Sequence, residues 1–387
     1  MNINLDLMPG NGGPAWSRSS KGKTLPLNLF NDVFFTVVLD RIDARSNGLI
    51  WIGHIDGVAY SQVTLVTGDG LMAGHIAMPG AIYRVRYAGN GVHAVQEINQ
   101  AALPPEKEPL TAGTSTISTP RNGVFNLYLP LVLKSAGGGA TITIMVVYTP
   151  AARVAAGGTT AMNNEIALAV STTNTTYSNS GITQRLQLVH TAQVSYTESS
   201  DMETDLNRVT FTDGYMDNVH ALRNTYAADL VNLLVEYPSS YQWCGVAWLM
   251  TNVSHSFESW AFSVVWRGSC AVSNLSFAHE LGHNMGARHD WYTDAATTPY
   301  TYAHGYVNAT ARWRTIMAYN NRCTAAGFSC TRLQYWSNPD ITYGGAPLGV
   351  AEGTSTACTV SNLSNPPCDA DNRKTLNNTA STIAGFR

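Results

Sequence analysis

Twelve residues constrain this chain more than any others: HELGHNMGARHD, positions 279–290. His279 and His283 stand four apart, so a helix puts both imidazoles on one face with Glu280 beside them. His289 does not fit that face. Six residues past His283, an uninterrupted helix turns about 600° and leaves it roughly 240° away. Gly286 lies between, and glycine takes positive φ without steric cost, so it can end the helix and turn the chain back. Two imidazoles one turn apart chelate zinc. A third would complete the three-ligand set of a catalytic site that keeps one position for water, with Glu280 placed to take a proton from that water. HExxH alone is only moderately specific. HExxHxxGxxH fixes five residues, and its chance occurrence in a chain of this length is on the order of 10⁻⁵ to 10⁻⁴.

A second signal stands 28 residues beyond His289, at RTIMAYNN (314–321). Met317 in a tight turn would give the zinc histidines a soft apolar floor. Tyr319 is close enough in sequence to reach the metal or to donate to a developing oxyanion. Asp290 is expected to brace local backbone or the second nitrogen of a ligand. Phe277 and Leu281 lie off the ligand face and should pack on a sheet. The remaining histidines, His54, His75, His93, His190, His220, His255 and His304, read as structural residues.

The 387 residues are 44% hydrophobic and 13% charged with a net charge of −3, which describes a folded chain without the basic clusters of a nucleic-acid or anionic-membrane binder. No apolar run reaches the roughly 20 residues that span a bilayer. All six cysteines lie at or beyond position 244 and none forms a CxxC pair. Their number and spacing suggest local disulfides, 244–270, 323–330 and 358–368, and hence an oxidising, extracellular compartment. The opening MNINLDLMPGNGG lacks the charged start and apolar core of a signal peptide, so secretion is inferred from the cysteines alone.

Two styles of chain follow one another. In residues 1–102, alternating stretches at 34–42, 48–55, 61–68, 75–88 and 92–98 are separated by glycine-containing turns, as in an antiparallel sheet. Residues 103–139 read as a linker or activation segment: LPPEKEPLTAGTSTISTP is rich in Pro, Thr and Ser, and Lys134 before a glycine run is a plausible cleavage point. From 140 to 387, strands at 141–149, 184–196, 229–237, 243–250 and 261–267 alternate with helices at 163–180, 216–227 and 273–286. That alternation implies an α/β (α+β) unit with a mixed, mostly parallel sheet leading into the active-site helix. Beyond Gly286 little periodicity remains, and a loop-dominated part stapled by the last two disulfides is expected.

HELGHNMGARHD together with TIMAY resembles the metzincin clan of zinc endopeptidases. The closer likeness is to the bacterial peptidyl-Asp metalloendopeptidases, carried by MVVYTPAARVAAG (145–157), HELGHNMGARHDW (279–291) and YWSNPDITYGGAPLG (335–349) and covering roughly residues 140–387. The first domain resembles the β-rich propeptides that precede such catalytic domains. The resemblance implies one zinc ion on His279, His283 and His289, Glu280 as general base and acid, a Met-turn at Met317, and protein or peptide substrates cut on the amino side of Asp, more weakly Glu. An acidic P1′ side chain needs a cationic pocket, for which arginine is the right chemistry. Arg332 and Arg322 follow the turn, Arg312 and Arg314 precede it, and Arg332 is favoured.

A monomer is expected, with its own N-terminal domain as a possible inhibitor. That domain holds no cysteine, so a thiolate cannot be what blocks the zinc, and a carboxylate or plain steric blockade would have to serve. Two other readings compete: an endopeptidase with hydrophobic or broad P1′ preference, and an inactive, zinc-stabilised binding protein. The intact Glu280 speaks against the second.

Overall fold

Paired turn residues divide the N-terminal part into seven strands. Asp69-Gly70 and Asn90-Gly91 both have positive φ at each residue, the backbone that closes two-residue hairpins. Pro79-Gly80, with Gly80 at φ +88°, splits the expected strand 75–88 in two. The computed structural model describes residues 21–112, 139–237, 242–353 and 368–387, so Lys134 and Cys358 fall outside the described residues. β1 (Thr24–Phe30), β2 (Val33–Arg45), β3 (Gly48–Ile55), β4 (Gln62–Gly68), β5 (Leu71–Met78), β6 (Ala81–Gly89) and β7 (Val92–Glu97) form one antiparallel meander in chain order. One apolar cluster of this sheet contains Trp51, Leu65 and Ile76, while Val66 and Ala73 join the core of the second unit.

The chain then crosses to the second unit through β8 (Leu110–Thr111). It continues with β9 (Thr141–Tyr148), α1 (Pro150–Ala156), α2 (Thr159–Asn179), β10 (Arg185–Gln193), α3 (Met202–Thr210), α4 (Asn218–Thr225), β11 (Leu230–Val235), β12 (Gly245–Leu249), β13 (Phe262–Trp266) and α5 (Ser276–Asn284). The sheet order is β10-β9-β11-β13-β12-β8. β10, β9, β11 and β13 are parallel, and β12 runs antiparallel to β13. β9 and β11, TITIMVVY and LVNLLV, are near-continuous apolar runs because helices cover them. α2 lies between the two sheets and is buried on almost every side, Ile166, Val170, Thr173 and Tyr177 included.

Buried polar contacts join the two units. Glu165 of α2 accepts from Arg84 of β6 at 3.0 Å and from Arg267 at 2.6 Å, and Arg267 also reaches Glu236 at 2.8 Å. Asn164 donates to the carbonyls of Gly68 (3.2 Å) and Leu71 (3.3 Å) and accepts from Arg45 (2.8 Å).

The last third contains short strands, β14 (Val307–Asn308), β15 (Trp313–Arg314) and β16 (Thr331–Arg332), the short α6 (Asn321–Ala325) and a 12-residue helix, α7 (Asn372–Ile383). The sequence reading missed α7. Its buried side includes Leu376, Ala380 and Ile383, at helical spacing but diluted by Asn and Thr, and Asp371 caps it by accepting from Lys374 N at 2.8 Å. Disulfides 244–270 and 323–330 are present as expected, and the third expected pairing involves Cys358. No helix among the described residues is long and apolar enough to cross a membrane.

Candidate metal centre and substrate cleft

α5 carries the first two histidines and packs across β12 and β13, with Phe277 and Leu281 fully buried against the sheet as expected. It ends where glycine permits: Gly286 has φ +87°, and Ala287 N donates to Gly282 O at 2.9 Å, closing a Schellman-type turn. The reversal brings His289 back. The Nε2 atoms of His279, His283 and His289 converge, 3.1 Å, 3.1 Å and 3.0 Å apart pairwise. His279 Nδ1 faces Ile316 O at 2.9 Å and His283 Nδ1 faces Ala287 O at 2.8 Å. A carbonyl only accepts, so each Nδ1 carries the proton and each Nε2 turns a lone pair to the centre. Two such lone pairs this close, fully buried, with the third imidazole nitrogen beside them, call for a cation, and imidazole is a usual zinc ligand. Burial pushes His279 down to about 3 and His283 well below its ordinary value, the neighbouring histidines adding to the effect, so both stay neutral as ligands must. Among the described residues this is the one group of His, Cys, Asp and Glu able to hold a metal ion.

Glu280 is fully buried and neither carboxylate oxygen has a hydrogen-bond partner. Burial, then the charges of Glu106 and Glu108, raise its pKa well above the carboxylate range, with Arg332 opposing. Its position depends on Gly245 of β12, where a Cβ would come within 2.5 Å of Glu280 Oε1. Gly282 is required for a similar reason: a Cβ there would meet Met317 Sδ at 2.7 Å and the Trp336 ring at 2.8 Å. Met317 therefore does lie beneath the helix, fully buried. Asp290 braces backbone and not a ligand nitrogen, since its Oδ2 accepts from Tyr319 N at 2.8 Å and its Oδ1 from Tyr292 N at 3.1 Å. This fixes Tyr319, whose ring centroid lies 3.9 Å from that of His289. Burial and then the nearby glutamates raise the Tyr319 pKa far above its ordinary value, so the phenol remains a donor.

Of the four candidate arginines, the structure brings Arg332 into the cleft. Its guanidinium is buried and grips the carboxylate of Glu106 with two nitrogens, Nη1 on Oε1 and Nη2 on Oε2 at 2.8 Å. Asn274 Nδ2 (3.1 Å) and Ser276 Oγ (2.7 Å) donate to the same carboxylate. Burial alone would raise the Glu106 pKa, but Arg332, followed by His279 and the donated hydrogen bonds, holds it well below the usual range. Arg314 is buried beside this pocket, its Nη1 on Ala318 O, and burial followed by the charge of Arg332 lowers it to about 9. Arg322 points elsewhere, with Nη1 3.5 Å from Val307 O, and Arg312 lies over the Phe328 ring.

Sequence reasoning missed Asn274, Ser276, Glu106 and Glu108. Asn274 and Ser276 sit at the entry of α5, where such residues read as ordinary caps. Glu106 and Glu108 sit in a stretch that reads as linker, PPEKEP, yet residues 103–111 lie along β12. Cys244 N donates to Pro105 O at 2.7 Å, Lys107 N donates to Gly245 O at 2.8 Å, and β8 pairs parallel with β12 through Leu110↔Trp248 and Thr111↔Leu249. The Tyr319 hydroxyl donates to Glu106 O at 2.8 Å, and Glu108 Oε2 lies 3.2 Å from His289 Nδ1. The two proline-flanked acids thus face the cleft together, as residues i and i+2 of a strand do.

A buried three-histidine centre with an adjacent carboxylate, beside a sheet strand that binds extended chain, defines a metallopeptidase. Comparison with known proteins agrees. Residues 139–351 match the metallopeptidase family M12B, reprolysin-like. A peptidyl-Asp metalloendopeptidase of Stenotrophomonas maltophilia is 39% identical over 331 residues, 84% of this chain and 71% of that protein. One of Xanthomonas campestris is 35% identical over 366 residues, 91% and 79% of the respective chains. The Pseudomonas fragi protein of the same name is 35% identical over 215 residues, 99% of its length but 55% of this chain. This chain belongs to the peptidyl-Asp metalloendopeptidase family, whose membership implies zinc metalloendopeptidase activity.

Proposed function

We propose that the chain is a secreted endopeptidase that cuts protein substrates on the amino side of Asp, and more weakly of Glu. The observation that carries this reading is the buried Arg332, held by the fold beside Glu280 and gripping a carboxylate through two nitrogens, with Asn274 and Ser276 completing the shell. A guanidinium desolvated in this way demands an anion, because a buried unpaired charge is costly. A pocket lined by Arg332, Arg314, Asn274 and Tyr319 offers an apolar P1′ side chain little, which disfavours the hydrophobic-pocket alternative. The names of the relatives point the same way. Secretion is supported by the disulfides.

In this reading His279, His283 and His289 hold the ion. Bound zinc would acidify water and polarise the scissile carbonyl. Glu280 takes the proton of the attacking water and passes it to the departing amide nitrogen. Tyr319 donates its hydroxyl to the oxygen on which charge develops, held there by Asp290 through its own backbone N–H. Arg332 fixes the register of the peptide, so that the bond before the acid is the one presented.

Glu280→Gln tests the chemistry. Proteolysis should fall by about four orders of magnitude or more, while zinc content measured on the same sample stays at one ion per chain. Substantial residual activity would remove Glu280 from its role, and loss of metal would make it a ligand or a structural residue.

A further inference from the structure

We infer that residues 104–111 are a built-in inhibitor that occupies the acid-reading pocket, with Glu106 standing where a substrate's acidic side chain would bind, in reverse chain direction. This rests on the reading of Arg332 as the specificity residue and adds to it the regulation of the same site.

Two observations fix the direction. In a cleavable peptide, the acid in the pocket supplies the leaving nitrogen, and the carbonyl to be attacked belongs to the residue before it. Here that preceding carbonyl, of Pro105, is turned onto β12 and accepts from Cys244 N at 2.7 Å. The carbonyl at the Tyr319 hydroxyl is that of Glu106 itself, at 2.8 Å. The order of side chain and carbonyl is therefore opposite to that of a substrate. The segment satisfies the pocket, the edge strand and the tyrosine at once, yet does not present the bond before its acid.

Further contacts hold the segment in place. Glu108 sets its carboxylate 3.2 Å from His289 Nδ1, the ring nitrogen turned away from the centre. Lys107, on the opposite side of the strand, reaches Glu203 at 2.7 Å. Gln100, just upstream, accepts from Arg332 N at 2.9 Å and donates to Ser273 O at 3.0 Å, so the approach to the pocket is tied on both sides. The segment is continuous with the seven-stranded sheet docked on α2, and that tether gives it a high effective concentration at the cleft. Latency thus uses the chemistry of specificity: a carboxylate on the arginine, not a ligand on the metal.

The test uses the intact 387-residue chain, its integrity followed by mass spectrometry, and a quenched peptide with Asp at P1′. Glu106→Gln keeps the side-chain shape and removes the charge opposite Arg332. It should raise the activity of the uncleaved chain at least about tenfold, since half of a buried ion pair is lost. Lys107→Ala removes only a partly exposed pair and should remain as latent as wild type. Glu106→Asp, which shortens the reach but keeps the charge, should fall between them, and thermal melting of each variant reports folding. An uncleaved Glu106→Gln chain as latent as wild type, or equal activation by Lys107→Ala, would overturn the inference. The same chain after proteolytic activation reports the specificity reading separately. If it still prefers Asp in an Arg332-dependent way, only the inhibitor is wrong; if it has no acid preference, the pocket reading has failed.

Discussion

At the scale of single residues, the site is held by glycines as much as by its chemical groups. Gly245 leaves room for the Glu280 carboxylate, and Gly282 leaves room for Met317 and Trp336. The two should fail differently. Gly245→Ala displaces Glu280 without touching a histidine, so kcat should drop about 100-fold while zinc content is unchanged. Gly282→Ala pushes into a packed floor and should cost about 1–3 kcal/mol, read as a lowered Tm. Loss of metal from Gly245→Ala, or an unchanged Tm for Gly282→Ala, would contradict these assignments. The histidines and Glu280 were readable in HELGHNMGARHD because their spacing is itself the geometry. Asn274 and Ser276 were not, because nothing in a lone Asn or Ser distinguishes a cap from a carboxylate donor until the chain that supplies the carboxylate is in place.

At the scale of elements, legibility followed the strength of local pattern. The parallel core was readable because β9 and β11 are near-continuous apolar runs, and α5 because its motif demands a helix. α3 and α7 went unread although their boundaries carry ordinary signals: Asp201 caps α3 by accepting from Thr204 N at 3.0 Å, as Asp371 caps α7. Their apolar stripes are three residues wide, too thin to stand out from the surrounding polar residues. The extended segment 103–111, which ends in β8, was read as linker because its pairing with β12 is a tertiary fact that no local periodicity records. α2 is the element on which the N-terminal sheet rests, and Asn164 is its polar anchor. Asn164→Ala leaves the carbonyls of Gly68 and Leu71 without that donor and should weaken retention of the N-terminal sheet after nicking by about 1–3 kcal/mol. Gel filtration of the nicked protein measures this; co-elution identical to wild type would speak against the role.

At the scale of the whole molecule, the two units meet over groups that respond to acid. His75 of β5 is fully buried at that junction, 2.6 Å from the Gln334 amide, and burial followed by the charge of Arg84 lowers its pKa to about 4 from an ordinary 6.5. The sign is unambiguous: between those values a freed His75 takes up a proton that the docked one does not, so docking is strongest above about pH 6.5 and weakens as pH falls towards 4. The full effect is up to about 3 kcal/mol. Retention of the nicked N-terminal part should therefore decline with acidification, and His75→Gln should flatten the profile; a profile equally steep in the variant would place the sensor elsewhere.

Across all scales, the proposal is that the three-histidine centre supplies the chemistry and Arg332 the choice of bond. Cleavage-site mapping on a peptide library, with activated wild type and activated Arg332→Gln side by side and zinc measured in both, tests that directly. Wild type should cut before Asp, less often before Glu, and Arg332→Gln should lose that preference about 100-fold while keeping its zinc. Cuts scattered before Leu or Phe in wild type, or an unchanged acidic preference in Arg332→Gln, would contradict it.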